Sequence, residues 1–211
     1  MTSRPKFVFL IDDDESMRRS LEHVLRESGY IVQGFASAHT FLDKTEQTSP
    51  AVIVLDMQMP DMNGIELQER LNAMARTTPI IFISGQSHPT QIVQGMRNGA
   101  VHFLFKPFGL KDLVQAIEEA MNKDIEQTKH LINNLSVVAR YKSLTPRERD
   151  VCHWVAKGLQ NVDIAQKFES SPNTVKIQKG RVMAKMQANS VAELALMYAE
   201  YGLEKIFSEE K

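Results

Sequence analysis

AVIVLDMQMP, residues 51–60, is an apolar run of five residues that ends in one carboxylate and then turns through Met59-Pro60 toward Gly64. Four of the five are Val, Ile or Leu, and Pro stands on both sides. Such a run reads as a strand covered on both faces, as in a parallel sheet. Asp56 follows where the apolar run stops. It is expected outside the core, at the carboxyl edge of the strand, where open α/β sheets hold their ligand crevice. An Asp at a strand exit also serves as a plain helix cap, so the other strand ends decide between the two.

Residues 7–11 (FVFLI) repeat the pattern and end in Asp12, Asp13, Asp14 and Glu15. Four adjacent acids repel one another, which fits a solvated turn or a metal site. Met17, Leu21, Val24 and Leu25 have helical spacing, closed by Ser28-Gly29. Residues 30–35 predict a second strand, Ser37 begins a short helix through Phe41 and Leu42, and Ile65, Leu67 and Leu71 mark a helix after the strand at 51–55. Residues 80–83 predict a fourth strand ending in Ser84-Gly85. A helix over 89–97 stops at Asn98-Gly99, and a fifth strand over 101–105 ends in Lys106-Pro107.

Five β-then-α units argue for a doubly wound, five-stranded parallel sheet with helices on both faces. Right-handed crossovers bring every strand's carboxyl end to one edge, and with them Asp12, Asp13, Asp56, Ser84 and Lys106. Carboxylates around one crevice suit a hard divalent cation, Mg²⁺ (or Mn²⁺). A lysine supplies a point charge for a phosphoryl group, a hydroxyl supplies a hydrogen bond, and an Asp so placed can be the nucleophile that accepts phosphate.

The chain has 211 residues and a net charge of -1, but the charge is divided unevenly. Residues 1–122 carry 11 Lys+Arg against 15 Asp+Glu, and residues 141–190 carry 9 against 4. An acidic part and a basic part suggest two domains with different partners. The single Cys152 cannot form an internal disulfide, and its neighbours predict a buried side chain. With no apolar run near the roughly 18 residues of a membrane span and no signal-type segment, no membrane partner and a cytoplasmic location are expected.

Residues 108–122 predict the last helix of the first domain, with Leu110, Leu113, Val114, Ile117 and Met121 on its apolar side. Ile125, His130, Leu131, Leu135 and Val138 give residues 123–142 a helical-linker reading. From 143 to 211 four short helices are expected. Thr145-Pro146-Arg147-Glu148 is a capping box for the first, and Asn161 is expected to cap the second, with Ile164, Ala165 and Phe168. The third follows Ser170-Ser171-Pro172, with Val175, Val182 and Met186 inward and a basic stripe beside them. Ser190 to Glu193 reads as another capping box. A basic stripe on the third helix is how a helix-turn-helix meets a major groove, although a solvated face on a small bundle would look similar.

IDDDES, VLDMQMPDMNG, FISG and FLFKPF resemble the receiver domain of two-component response regulators over nearly all of residues 6–122. LTPRERDVCHWVAKGLQNVDIAQKF and NTVKIQKGRVMAKM resemble the LuxR-type helix-turn-helix. The whole chain resembles the FixJ/NarL group, the FixJ-like branch especially. That resemblance implies a phosphorylation-activated, DNA-binding transcriptional regulator, not an enzyme. Asp56 would be the phosphoacceptor for a partner histidine kinase. Asp12 and Asp13 would flank the cation with the Gln58 backbone carbonyl. Ser84 would be the switch hydroxyl, Phe103 the aromatic switch, and Lys106 the phosphate-pairing lysine before a cis Pro107. Lys176, Ile177 and Gly180 would face bases of double-stranded DNA, with Asn173, Thr174, Lys179 and Lys185 near phosphates. A homodimer on phosphorylation and contact with RNA polymerase complete the expected partners.

The pattern is departed from in two places: Glu169-Ser170 stands where the family has Gly-Ile, and Gln178-Lys179 where it often has His-Arg. Phe105 is bulkier than expected beside the crevice. Two rivals remain on residues alone. A phosphorylation-independent regulator would lack part of the five-residue set, which is intact here. A haloacid-dehalogenase-type phosphatase is suggested by Asp12-x-Asp14, but it needs a further acidic motif at a later strand end, where this chain has Ser84-Gly85 and Lys106-Pro107.

Overall fold

The computed structural model describes residues 5–86 and 88–209, so both ends of the expected domain ranges, Met1 and Lys211, fall outside it. The chain divides into two compact units, residues 1–128 and 129–211. In the first, β1 (Phe7–Ile11), β2 (Ile31–Phe35), β3 (Ala51–Asp56), β4 (Ile80–Ser84) and β5 (His102–Phe105) form one parallel sheet in the order β2-β1-β3-β4-β5. Between them run α1 (Glu15–Glu27), α2 (Ala38–Lys44), α3 (Gly64–Ala73) and α4 (Pro89–Arg97), with α5 (Leu110–Lys142) after β5.

Side-chain alternation along the strands divides the core in two. Phe9, Ile11, Ile53, Leu55 and Phe82 face Phe41, Leu67 and Leu71 of α2 and α3. Val8, Leu10, Val52, Val54, Ile81 and Ile83 face Leu21 and Leu25 of α1 and Leu113, Ile117 and Met121 of α5. β3 is buried at every residue, as a central strand sandwiched by helices must be.

One sequence reading about the crevice needs correction here. β3 includes Asp56, which is only 7 % exposed rather than outside the core. The strand ends against Asp12 and Asp13 after β1 and Lys106 after β5, so its last side chain is enclosed. Asp14, the third acid of the run after β1, caps α1, accepting from the N–H groups of Ser16 and Met17 at 2.8 and 3.1 Å. The helix after β5 runs unbroken through the expected helical linker to Lys142. Its Asp124 is buried and accepts the Ala51 N–H at 3.0 Å, tying this stretch of helix to the start of β3.

Gly64 fixes the β3–α3 connection. A Cβ there would stand 2.7 Å from the Asp56 carbonyl oxygen and 3.0 Å from Met57 Cα, so only glycine lets α3 start so close to the strand.

The second unit contains the end of α5 and α6 (Pro146–Ala156), α7 (Asn161–Lys167), α8 (Pro172–Met186), α9 (Val191–Glu200) and α10 (Leu203–Glu209). The last exceeds the four helices expected, and its Leu203 and Phe207 join the core of Val151, Cys152, Val155, Val175, Val182 and Met186. The Thr145–Glu148 capping box forms. Asn161 does not cap α7: Gln160 holds that place, its N–H donating to Asp163 at 3.3 Å. At α9, Ser190 caps Glu193, but the Glu193 carboxylate reaches past it to the Asn189 N–H at 2.7 Å. Among the described residues no helix is long and apolar enough to cross a membrane.

Glu169 explains how the α7–α8 turn stays tight without the family's glycine. It adopts φ +50°, and the Ser170 N–H closes on the Ala165 carbonyl at 2.9 Å. From α6, Arg147 donates to the Phe168 carbonyl at 3.1 Å, its guanidinium 3.7 Å from the Phe168 ring centroid. A non-glycine residue in this left-handed region costs roughly 1–2 kcal/mol, and glycine would return roughly 0.4–1 kcal/mol of that through the freer unfolded chain. Glu169→Gly is therefore expected to stabilise the second unit by about 0.5 kcal/mol, read as a rise in the melting temperature. A fall would mean that the Glu169 side chain contributes more than its backbone costs.

Candidate functional site: an acidic crevice and a basic helix

The carboxyl ends of β1, β3, β4 and β5 bring the predicted crevice residues together. Oxygens of Asp12, Asp13 and Asp56 all lie within 4.8 Å of one another, with Asp12 and Asp56 buried and Asp13 exposed. Lys106 reaches in from the end of β5, its Nζ 2.8 Å from Asp12 Oδ2 and 3.5 Å from Asp56 Oδ1. The Lys106–Pro107 peptide is cis. Ser84, fully buried, donates its hydroxyl to the Gln86 carbonyl at 3.1 Å, and the Gln58 side-chain amide donates to the same carbonyl.

Burial is the largest influence on Asp56 and pushes its carboxyl up to about 6. Lys106 and the Gln58 backbone N–H oppose that rise, while the like charge of Asp12 adds to it. Burial by itself would lower the Lys106 ammonium, but its bonds to Asp12 and Asp56 outweigh this and hold it above the ordinary lysine value. Three carboxylates facing one ammonium leave the crevice short of positive charge. A hard divalent cation with oxygen ligands is what this donor set fits.

Phe103 is half-buried against the α2–α3 face of the core, and Phe105 is 58 % exposed. Their rings meet edge-on with centroids 4.8 Å apart. Residues two apart on a strand share a face, so the bulk of Phe105 is directed to solvent beside Phe103. Arg18 escaped the sequence reading. Its Nη1 donates to the Asp12 carbonyl at 2.7 Å, steadying the loop that carries two of the three acids. Nothing in the residue pattern singles it out from the other cations of α1.

In the second unit α8 buries Val175, Val182 and Met186 and exposes Asn173, Thr174, Lys176, Ile177 and Gly180. Ile177 is 53 % exposed, an apolar side chain with no core to join, and a Cβ on Gly180 would meet nothing within 4 Å. Lys179 is half-buried. Lys185 differs from the other predicted DNA contacts: its Nζ lies 2.6 Å from Glu148, whose side chain is 8 % exposed. The bond to Lys185, with that to the Thr145 N–H, holds Glu148 below the usual carboxylate range.

The folded Asp56 carboxyl, at about 6, lies well above the ordinary aspartate value. The stability that protonation of Asp56 contributes is present below pH 4 and is lost as pH rises through 6. By pH 7.5 this amounts to about 2–3 kcal/mol in metal-free buffer. Asp56→Asn should therefore melt higher than wild type at pH 7.5 without Mg²⁺, and the difference should shrink toward pH 4. A constant difference across that range would show that charge is not its source.

Comparisons with known proteins agree with both halves of the chain. A response regulator receiver domain model matches residues 8–118, and the luxR family of bacterial regulatory proteins matches residues 142–198. The transcriptional regulatory protein FixJ of Bradyrhizobium diazoefficiens is 37 % identical over 93 % of this chain and 96 % of its own. The tetrathionate response regulatory protein TtrR of Salmonella typhimurium is 33 % identical over 89 % of each. The structure of response regulator StyR superposes with a TM-score of 0.84 at 36 % identity, covering 93 % of this chain and 100 % of that one. Acidic crevice, parallel sheet and helix-turn-helix, together with these matches, make the chain a member of the two-component response regulators that pair a receiver with a LuxR-type DNA-binding domain.

Proposed function

We propose that Asp56 is the phosphoacceptor through which a histidine kinase controls DNA binding by this regulator. The observation that carries the reading is the convergence of Asp12, Asp13 and Lys106 on the buried Asp56 carboxylate. An Asp56 oxygen attacks phosphorus of a phosphohistidine, the N–P bond breaks, and the imidazole nitrogen leaves with the bonding pair. Asp12 and Asp13, with Asp56 and the Gln58 carbonyl, would hold Mg²⁺ (or Mn²⁺). When bound, such an ion offsets charge on the phosphoryl oxygens. Lys106 then exchanges Asp12 for a phosphoryl oxygen, and Ser84 gives up the Gln86 carbonyl to donate to another. The vacated space draws Phe103 inward, changing the surface of α4 and β5, on which two copies then pair.

The division of labour we propose is receiver 1–122, helical linker 123–142 and DNA-binding domain 143–211. The regulator would act in the cytoplasm, on double-stranded DNA, with RNA polymerase as a downstream partner. In this reading Lys176, Ile177 and Gly180 meet base edges, and Asn173, Thr174 and Lys179 lie near phosphates. The support for Asn173, Thr174, Lys176, Ile177 and Gly180 is their exposure on α8, and for the half-buried Lys179 it is its charge beside them. Lys185 has the weaker claim as a DNA contact, because its ammonium already neutralises a buried carboxylate.

The deciding experiment is labelling with acetyl phosphate and Mg²⁺, followed by footprinting on genomic fragments. Wild type should incorporate phosphate and gain protection of discrete sites, and Asp56→Asn should do neither while remaining folded. Undiminished labelling of the variant sinks the assignment. On α8, Lys179→Ala should weaken binding to all sequences and make the salt dependence shallower by about one unit of slope. Lys185→Ala should instead cost about 1–2 kcal/mol of stability, because it strands Glu148. If the two variants exchange these outcomes, their roles are exchanged too.

A further inference from the structure

The first unit contains a cavity of about 430 Å³ that none of the phosphorylation residues line, bounded among others by Gln68, Asn72, Arg76, Ile80, Val101 and Lys123. It is built from the end of α3, the loop before β4, the starts of β4 and β5, and α5. It therefore opens at the amino edge of the sheet, opposite the carboxyl edge that carries Asp56. Its volume lies within the range of small-molecule pockets, roughly 300–1,000 Å³.

Its lining has a definite chemistry. Pro79, Ile80 and Val101 give it apolar wall, and Asn72, Asn98 and Gln127 give it amides. Arg76 and Lys123 are its charged residues, and no Asp or Glu lines it among the described residues. Arg76 is anchored by donating to the Thr45 carbonyl and, at 3.3 Å, to the Thr45 hydroxyl, neither of which is an anion. Lys123 is exposed and has no ion-pair partner among the described residues. The carboxyl ends of α3 and α4 also lie at this edge and contribute roughly half a negative charge each, which leaves the two full cations in excess. In the wall, Gln68 is 1 % exposed; its amide donates to the Gly95 carbonyl at 2.9 Å, and its Oε1 has no hydrogen-bond partner among the described residues.

We propose that this cavity binds a small organic acid, its carboxylate held between Arg76 and Lys123 and its apolar body against Ile80 and Val101. Apolar wall with a few convergent polar groups is how proteins select such molecules, and a guanidinium with an ammonium matches a carboxylate rather than a neutral amide. The inference is independent of the phosphorylation reading, since no residue of the acidic crevice takes part.

The test is a titration of the full ¹⁵N-labelled chain with benzoate and with hexanoate, followed by amide chemical shifts and repeated with benzamide as the uncharged analogue. At least one acid should produce saturable shifts at Thr77, Gly99 and Lys123 below about 10 mM. Benzamide should produce none, Lys123→Glu should weaken the acid about tenfold or more, and Asp56→Asn should leave it unchanged. Lys123 is exposed, so its replacement leaves the core intact. The proposal is overturned if neither acid saturates, if benzamide binds as tightly, or if Lys123→Glu binds as wild type does.

Discussion

Among the described residues, Lys106 is the cation that pairs with the carboxylates of the acidic crevice, 2.8 Å from Asp12 and 3.5 Å from Asp56. The carboxyl end of the sheet depends on that pairing. Two of the acids are buried and must surrender hydration, which no protein does cheaply without full compensation. Lys106 compensates in part, and Asp56 is left with a carboxyl raised to about 6. The crevice is thus held in a state that further positive charge, or a group able to share Lys106, relieves.

Sheet order and glycine make that arrangement possible. β1 and β3 are neighbours at the centre of the order β2-β1-β3-β4-β5, so Asp12 and Asp56 emerge side by side while β5 delivers Lys106 from the edge. Gly64 lets α3 begin against the Asp56 carbonyl, and its N–H donates to the Met57 carbonyl at 3.0 Å. Any larger residue at position 64 would push α3 away and open the crevice wall.

Much of this was legible because strands and acids obey local rules. Runs such as FVFLI and AVIVL must be covered on both faces, and the residue after each such run must stand at the sheet's carboxyl edge. What escaped depends on contacts distant in sequence. Asp56 is buried where Asp12, Asp13 and Lys106 are brought against it from other strand ends, which its own neighbours do not encode. Asp124 reads as a polar linker residue until Ala51 is brought to it. Lys185 looks like one more member of a basic stripe, and only the packing of α6 on α8 reveals Glu148 beneath it. The turn at Glu169 lacks the family's glycine, yet it forms because Arg147 and the Ala165 carbonyl hold its two ends.

The same separation of local cost from distant support governs α8. Gly180 weakens the helix by about 1 kcal/mol relative to alanine and contributes no packing that would offset it. The helix is reinforced at its ends instead. Ser171 caps it, accepting the Thr174 N–H at 3.1 Å, which is worth about 1 kcal/mol, and Pro172 occupies a first-turn position where its missing N–H costs nothing. At the other end Arg140 donates to the Met186 carbonyl at 2.8 Å, and Lys185 lies in the last turn, where a cation contributes about 0.3–1 kcal/mol. These terms equal or exceed the glycine cost, so α8 can leave its exposed middle without a side chain at Gly180 and still remain a helix from Pro172 to Met186.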